Sequence, residues 1–292
     1  MGLKKTISKV HLLLNCVIYV ILIITSLVMI FPIFWALSTS LKPYSEIFDY
    51  PPKFIPEHPT LQNYATVLFG WYPPGLVMTE IPLGRWFLNT ILISFVVTFF
   101  VLFTSSISGY VFAKFHFKGR DFLFMMLLAS MMIPFVVIMI SLYILMVQIG
   151  WVNTYQALIA PFIVSPFGIF MMRQFCKGIP NEYIDAARIE GCSEFTIYGK
   201  IIFPLCKHPL AALAAYTFSV QWDEFLWPLL ITTSSDMRVL SLGLAVFFPF
   251  YGTIYLYAIL MAAIILSIMP VIIFFVFAQR YFITSFVLSG LK

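Results

Sequence analysis

Charge is scarce in this chain, and its absences come in long runs. Only 10% of the 292 residues are Asp, Glu, Lys or Arg, and 62% are hydrophobic; soluble globular chains hold about 25% and about 45–50%. No charged side chain falls between His11 and Lys42, between Arg85 and Lys114, or between Asp121 and Arg173. A helix needs about 20 apolar residues to cross about 30 Å of hydrocarbon. Each of the first two gaps therefore holds one membrane span, and the third holds two with a turn. A soluble chain of buried core helices does not have this pattern.

Other absences narrow the chemistry. The four cysteines, Cys16, Cys176, Cys192 and Cys206, match no CxxC or zinc spacing and read as small apolar fillers. HExxH and GxSxG motifs are missing, and His11, His58, His116 and His208 are scattered. There is no phosphate-binding G-x-x-x-x-G-K-[ST] loop; Gly199-Lys200 is followed by Ile201. No catalytic, cofactor or metal site is expected. The start Met1-Gly2-Leu3-Lys4-Lys5-Thr6 fits an acylation template by letter only. The apolar run after Lys9 exceeds a signal-peptide core and is expected to stay as the first span.

What is present predicts an all-α, polytopic transmembrane bundle of six spans, within a single domain over residues 1–292. The expected spans are Leu12–Leu37, Trp86–Ala113, Phe122–Val147, Tyr155–Met172, Leu210–Leu230 and Tyr255–Ala278. Lys and Arg fix the orientation, because they accumulate in cytoplasmic loops. With the N-terminus inside, thirteen of them lie in inner segments, and four (Lys42, Lys53, Arg85, Arg238) lie outside. Both termini are then cytoplasmic, and the net charge of +5 is a topology signal, not a nucleic-acid footprint.

Two loops stand out. The outer loop 38–85 is rich in proline (Pro43, Pro51, Pro52, Pro56, Pro59, Pro73, Pro74, Pro82), which predicts a stiff, mostly irregular segment serving as a docking surface or a plain connector. The inner loop 177–208 is the most polar stretch. There Pro180 suits a helix start, Glu182 and Asp185 sit where the helix dipole favours anions, and Gly191 suits a left-handed stop. Ser193 can cap a second helix to about Phe203, with Phe195, Tyr198 and Ile202 on one face.

Asp185-Ala186-Ala187, three residues, Gly191, nine residues, Ile201, one residue, Phe203-Pro204 resembles the EAA loop of binding-protein-dependent ABC importers, with Asp for Glu and Phe for Leu. Pro59-Thr60-Leu61-Gln62-Asn63-Tyr64, Phe117-Lys118-Gly119-Arg120, Ser165-Pro166-Phe167-Gly168-Ile169-Phe170 and Trp222-Asp223-Glu224-Phe225-Leu226-Trp227-Pro228 resemble the carbohydrate-uptake branch, in the style of the second permease of maltose-type importers. Gln279-Arg280-Tyr281-Phe282 fits that family's ending, while the tail Ser285–Lys292 departs from it.

The resemblance implies a type I ABC importer permease fold in a bacterial cytoplasmic (inner) membrane, forming half of a path for a sugar, oligosaccharide or polyol. It implies four kinds of partner: a second homologous permease, an ATPase dimer holding ATP and Mg, an extracytoplasmic solute-binding protein, and lipid. ATPase coupling would rest on Asp185, Ala186, Ala187, Glu190, Gly191, Ile201 and Pro204.

Asp223 and Glu224 are the only carboxylates set in an expected span, roughly 20 Å along the fifth helix. With Trp222, Phe225 and Trp227 they either line a sugar path or form a structural group near the outer interface. Pro134 and Pro228 can kink their helices. The stretch from Ser241 to Thr253 either reaches toward a binding protein, as the resemblance suggests, or is a short interfacial segment. The competing reading is an ion-coupled secondary transporter with Asp223 and Glu224 as its ion site, which would leave the EAA-like loop without a purpose.

Overall fold

A computed structural model describes residues 2–47, 49–71, 82–250 and 257–289. Pro73, Pro74, the segment Tyr251-Gly252-Thr253, Tyr255 at the head of the expected sixth span, and the last three residues, Gly290-Leu291-Lys292, lie outside them. Among the described residues all the regular structure is helical, without strands. Four helical stretches are long and apolar enough to cross a membrane: Leu14–Ser40, Leu83–Lys114, Tyr155–Lys177 and Tyr257–Val276. Two bent pairs, Arg120–Ser130 with Phe135–Gln148 and Glu194–Leu205 with Lys207–Trp222, raise the number to six if each counts as one span. Contacts divide the chain into two units, Met1–Ile81 with Phe248–Ile268, and Pro82–Phe247 with Met269–Lys292.

In the first unit, helix α1 (Gly2–Ser40) exposes apolar side chains from Leu14 to Phe34, as a lipid-facing helix must. Its C-terminal end is different: Ser38, Thr39, Ser40 and Lys42 are buried beneath the proline-rich loop. Among its described residues that loop is mostly irregular, as expected, yet hydrogen bonds hold it in place. Helix α2 (Gln62–Phe69) follows a 3-10 turn at Tyr44–Glu46. The Asn63 amide donates to the carbonyls of Ser40 (2.8 Å) and Lys42 (2.9 Å), and the Tyr64 hydroxyl lies 2.7 Å from Ser40 Oγ. The Asn-Tyr of the Pro59–Tyr64 motif thus latches the loop to the end of α1. Lys42 Nζ donates to the Lys53 carbonyl at 2.7 Å, and Glu46 accepts the N–H groups of Glu57 and His58. Burial pushes the Lys42 ammonium below its ordinary range, against the opposing pull of Glu46 and Asp49.

The second unit is built on α3 (Leu83–Lys114). Its buried face alternates bulk with small residues: Val97 and Val101, then Ser105, Ser106 and Gly109. Small residues let membrane helices approach closely where no hydrophobic effect separates protein from lipid. Helix α4 (Arg120–Ser130) and helix α5 (Phe135–Gln148) follow; after α6 (Tyr155–Ile159) comes α7 (Pro166–Lys177). Helix α7 lies in the groove so made: a Cβ on Gly109 would stand 2.5 Å from Met172 Cβ and 2.9 Å from the Arg173 backbone nitrogen.

The expected third span, Phe122–Val147, is not one straight helix. Its halves α4 and α5 meet at 95°. Pro134 has no N–H to give to Ser130 and forces the residue before it out of the helical region. The expected fifth span, Leu210–Leu230, is also broken. The loop helices α8 (Glu182–Ile189), α9 (Glu194–Ile197) and α10 (Phe203–Leu205) lead into α11 (Lys207–Trp222), which stops before Asp223; α12 (Leu226–Ile231) restarts beyond it. Pro228 cannot donate to the Glu224 carbonyl four residues back, and the Ser241 hydroxyl donates to it instead at 2.6 Å. Helices α13 (Leu240–Phe250) and α14 (Tyr257–Ser289) close the chain.

Candidate functional site

The inner loop begins where Lys177 ends α7 and is pinned at once. Lys114, the last residue of α3, donates to the Ile179 carbonyl (2.5 Å) and to Asn181 Oδ1 (2.7 Å). Helix α8 then carries Asp185, Ala186 and Ala187. The two alanines face opposite ways. Ala187 is buried with Ile184, seating α8 on the protein, while Ala186 is exposed beside Asp185.

The corner after α8 is a Schellman cap. Gly191 N–H donates to the Arg188 carbonyl and Cys192 N–H to the Ala187 carbonyl, both at 3.0 Å, with Gly191 at φ 78°. A Cβ at Gly191 would meet nothing within 4 Å, so the backbone conformation, not space, calls for glycine. Ser193 starts the second helix as an N-cap, accepting the Thr196 N–H at 3.3 Å.

This second helix departs from the expected face. Residues Tyr198–Ile202 form a π turn, so Ile197 and Ile202, five apart, are the buried pair. Phe195, expected on one face with Tyr198 and Ile202, is 89% exposed, while Ile202 is buried. Phe195, Tyr183 and Ile189 are three large apolar side chains left exposed on this polar loop, which also exposes Glu182, Asp185 and Glu190. Ile201 is half-buried against the core, and Pro204 is exposed in the first turn of α10.

Polar side chains tie the loop together. Arg188 Nε donates to Glu194 at 2.8 Å, and its Nη1 reaches Asp185 at 3.4 Å, bridging the glycine corner. The hydrogen bond to Glu194 holds the Arg188 guanidinium above its ordinary range. Glu194 also accepts the Tyr110 hydroxyl of α3 at 3.1 Å, and the hydroxyls of Tyr198 and Ser106 lie 2.6 Å apart. Reasoning from sequence missed Arg188, Glu194, Tyr198, Ser106 and Tyr110 as a group. The available signal was a shared spacing of four on two helices. Cys176 and Cys206 meet at the base of the loop with sulfurs 3.7 Å apart, both buried.

The second group of candidates sits at the break after α11. Trp222 is buried in a run of rings, 5.8 Å from Phe87 and 5.6 Å from Phe218, which stacks on Phe274 at 4.6 Å. Asp223 is exposed. Glu224 is half-buried, and its carboxylate accepts the Trp227 N–H at 3.2 Å, capping α12. Phe225 is half-buried, and Trp227 is fully buried with its indole N–H on the Ala157 carbonyl at 2.9 Å. Both tryptophans therefore pack within the protein's own interior, and Asp223 is the group left open.

The following segment is held on α3 by three residues. Trp86 donates to the Ser235 carbonyl (2.7 Å), Asn89 to the carbonyls of Asp236 (2.7 Å) and Arg238 (2.9 Å), and Thr90 accepts the Leu240 N–H (2.8 Å).

Comparison with known proteins was consistent along the chain. Residues 102–286 match the family described as binding-protein-dependent transport system inner membrane component. The arabinooligosaccharides transport system permease protein AraQ of Halalkalibacterium halodurans is 39% identical over 265 residues, covering 90% of this chain and 91% of its own. AraQ of Bacillus subtilis is 36% identical, covering 91% and 92%. The lactose transport system permease protein LacG of Rhizobium radiobacter is 31% identical, also covering 91% and 92%. A solved structure of a bacterial ABC transporter involved in the import of the acidic polysaccharide alginate superposes with a TM-score of 0.81 at 22% identity, over 92% of this chain and 96% of that one, which establishes the likeness of fold.

Proposed function

Because the chain belongs to the family of binding-protein-dependent transport system inner membrane components, we propose that it is the second permease of an ABC importer for oligosaccharides. In this reading it forms half of the translocation path. A homologous permease supplies the other half, an extracytoplasmic binding protein delivers the sugar, and a pair of ATPase chains in the cytoplasm binds ATP with Mg. The relatives named for arabinooligosaccharides and lactose support the cargo class.

One observation supports the coupling role: the inner loop exposes three large apolar side chains, Tyr183, Ile189 and Phe195, on a helix–corner–helix frame closed by backbone hydrogen bonds. Isolated apolar side chains on a surface are ordinary. Three on one polar loop, beside Asp185 and exposed Ala186, suit a shallow groove with basic edges on a separate chain. The ATPase supplies the energy of hydrolysis; this chain's part is to hold the docking helix at a fixed angle to its spans.

The test is bulk on the outward alanine. Ala186→Trp should release the ATPase from purified membranes while the permease inserts normally. Full retention of the ATPase would reject docking through this face.

Orientation is part of the same proposal, with both termini and the inner loop cytoplasmic. Among the loop cysteines Cys206 is buried and Cys192 is partly exposed, so Cys192 is the informative thiol. A membrane-impermeant maleimide should label Cys192 in inside-out vesicles and spare it in right-side-out ones. Labelling of Cys192 from outside would reverse the topology.

A further inference from the structure

The docking loop is joined to α3 by more than the chain's path, and the form of that joint suggests what it does. Ser106 and Tyr110 stand one turn apart on α3; Tyr198 and Glu194 stand four residues apart on the loop's second helix. They meet in order, Ser106 with Tyr198 at 2.6 Å and Tyr110 with Glu194 at 3.1 Å, and the two tyrosine rings lie 5.9 Å apart. Two hydrogen bonds a turn apart resist both sliding and rotation, which one bond or an apolar contact alone does not. Arg188 extends the connection across the glycine corner into α8, gripping Glu194 and Asp185. Lys114 fastens the start of the loop to the end of the same helix. Lys114, Ser106 and Tyr110, the three side chains of the spans that hold the loop through nitrogen or oxygen, all belong to α3, while the Cys176–Cys206 sulfur contact touches α7.

We propose that the Ser106–Tyr198 and Tyr110–Glu194 ladder, braced by Arg188, is the rigid link through which movement of the docked α8 is passed into α3. These are positioning residues: none is among the exposed apolar side chains Tyr183, Ile189 and Phe195. The inference rests on the docking role proposed above and adds the route by which displacement enters the membrane. A two-rung ladder suits that route because the hydroxyls sit in a largely buried seam, where losing a partner leaves a polar group stranded.

The experiment uses the intact importer in lipid nanodiscs, with Mg-ATP and vanadate to trap the closed ATPase pair, so no transported sugar is needed. Amide hydrogen exchange is followed in the loop (residues 182–205) and in α3 (residues 86–105), with and without trapping. The variant is Tyr110→Phe with Tyr198→Phe, which removes both hydroxyls and keeps both rings.

The ATPase should stay bound, and the loop should respond to trapping as before. The response of α3 should fall about fivefold for each hydroxyl lost, since a net hydrogen bond is worth about one such factor. Glu194→Gln, which keeps an oxygen for Tyr110, should retain more of the α3 response than Glu194→Leu. A wild-type α3 response in the double phenylalanine variant overturns the proposal. So does loss of the ATPase from it, because the tyrosines would then hold the dock, not transmit from it. Failure of the docking role itself reads differently: Ala186→Trp would keep the ATPase bound.

Discussion

Gly191→Val should abolish ATP hydrolysis stimulated by loaded binding protein, and transport with it, while leaving membrane insertion intact. Gly191 sits at φ 78°, where a β-branched side chain is strained by its own backbone; the left-handed conformation costs an L-residue about 1–2 kcal/mol. No atom lies within 4 Å of the position a Cβ would take, so crowding plays no part. Valine relieves the strain by leaving the left-handed region, which breaks the bonds from Gly191 and Cys192 back to Arg188 and Ala187. The angle between α8 and the second helix then changes, and Arg188 can no longer span from Asp185 to Glu194. Asparagine visits the left-handed region readily, so Gly191→Asn should keep most of the stimulation. The measurement is phosphate release by the purified importer. Equal loss in the Asn and Val variants would mean that the side chain obstructs a partner, and the conformational account would fail.

The second large effect is expected deep in the α3–α7 seam. Gly109→Val should keep the permease from accumulating in membranes. Even alanine's Cβ would stand 2.5 Å from Met172 Cβ and 2.9 Å from the backbone nitrogen of Arg173, and backbone cannot rotate away. Overpacking a filled core costs about 1–3 kcal/mol, and more where helices must part. Arg173 makes parting expensive, because its Nε on α7 donates to the Phe112 carbonyl of α3. Gly199→Ala is the control, since nothing lies within 4 Å of its Cβ position. Quantitative blotting of membranes, with melting in detergent, separates the two. Wild-type abundance and melting of Gly109→Val would show that the helices part at little cost.

Much of this architecture is legible in the sequence where the physics is local. Runs without charge mark the spans because hydrocarbon excludes charge, whatever the tertiary fold. Gly191 and Ser193 announce the corner because a left-handed stop and an N-cap are set within a few residues. A lack of charge says nothing about straightness, however, and Pro134 and Pro228 bend or break two of the expected spans. Pro228 acts upstream of itself, since the carbonyl it abandons belongs to Glu224. Phe195 was misplaced because a helical wheel assumes 3.6 residues per turn, and the π turn at Tyr198–Ile202 shifts the buried face to Ile197 and Ile202. The division between Ala186 and Ala187 needed the seat of α8, and the ladder to α3 needed a partner about 90 positions away in the chain, beyond any local rule.

The ladder also sets how this loop can change over evolutionary time. Surface loops ordinarily absorb insertions and deletions at small cost. Here Glu194 and Tyr198 must present themselves to Tyr110 and Ser106 in one register. Adding a residue between Glu194 and Tyr198 would turn one of these side chains by about 100° relative to the other, so that both could not meet α3. The stretch from Glu194 to Tyr198 therefore behaves as a gauge of fixed length, free to vary in the identity of its outward side chains but not in their number.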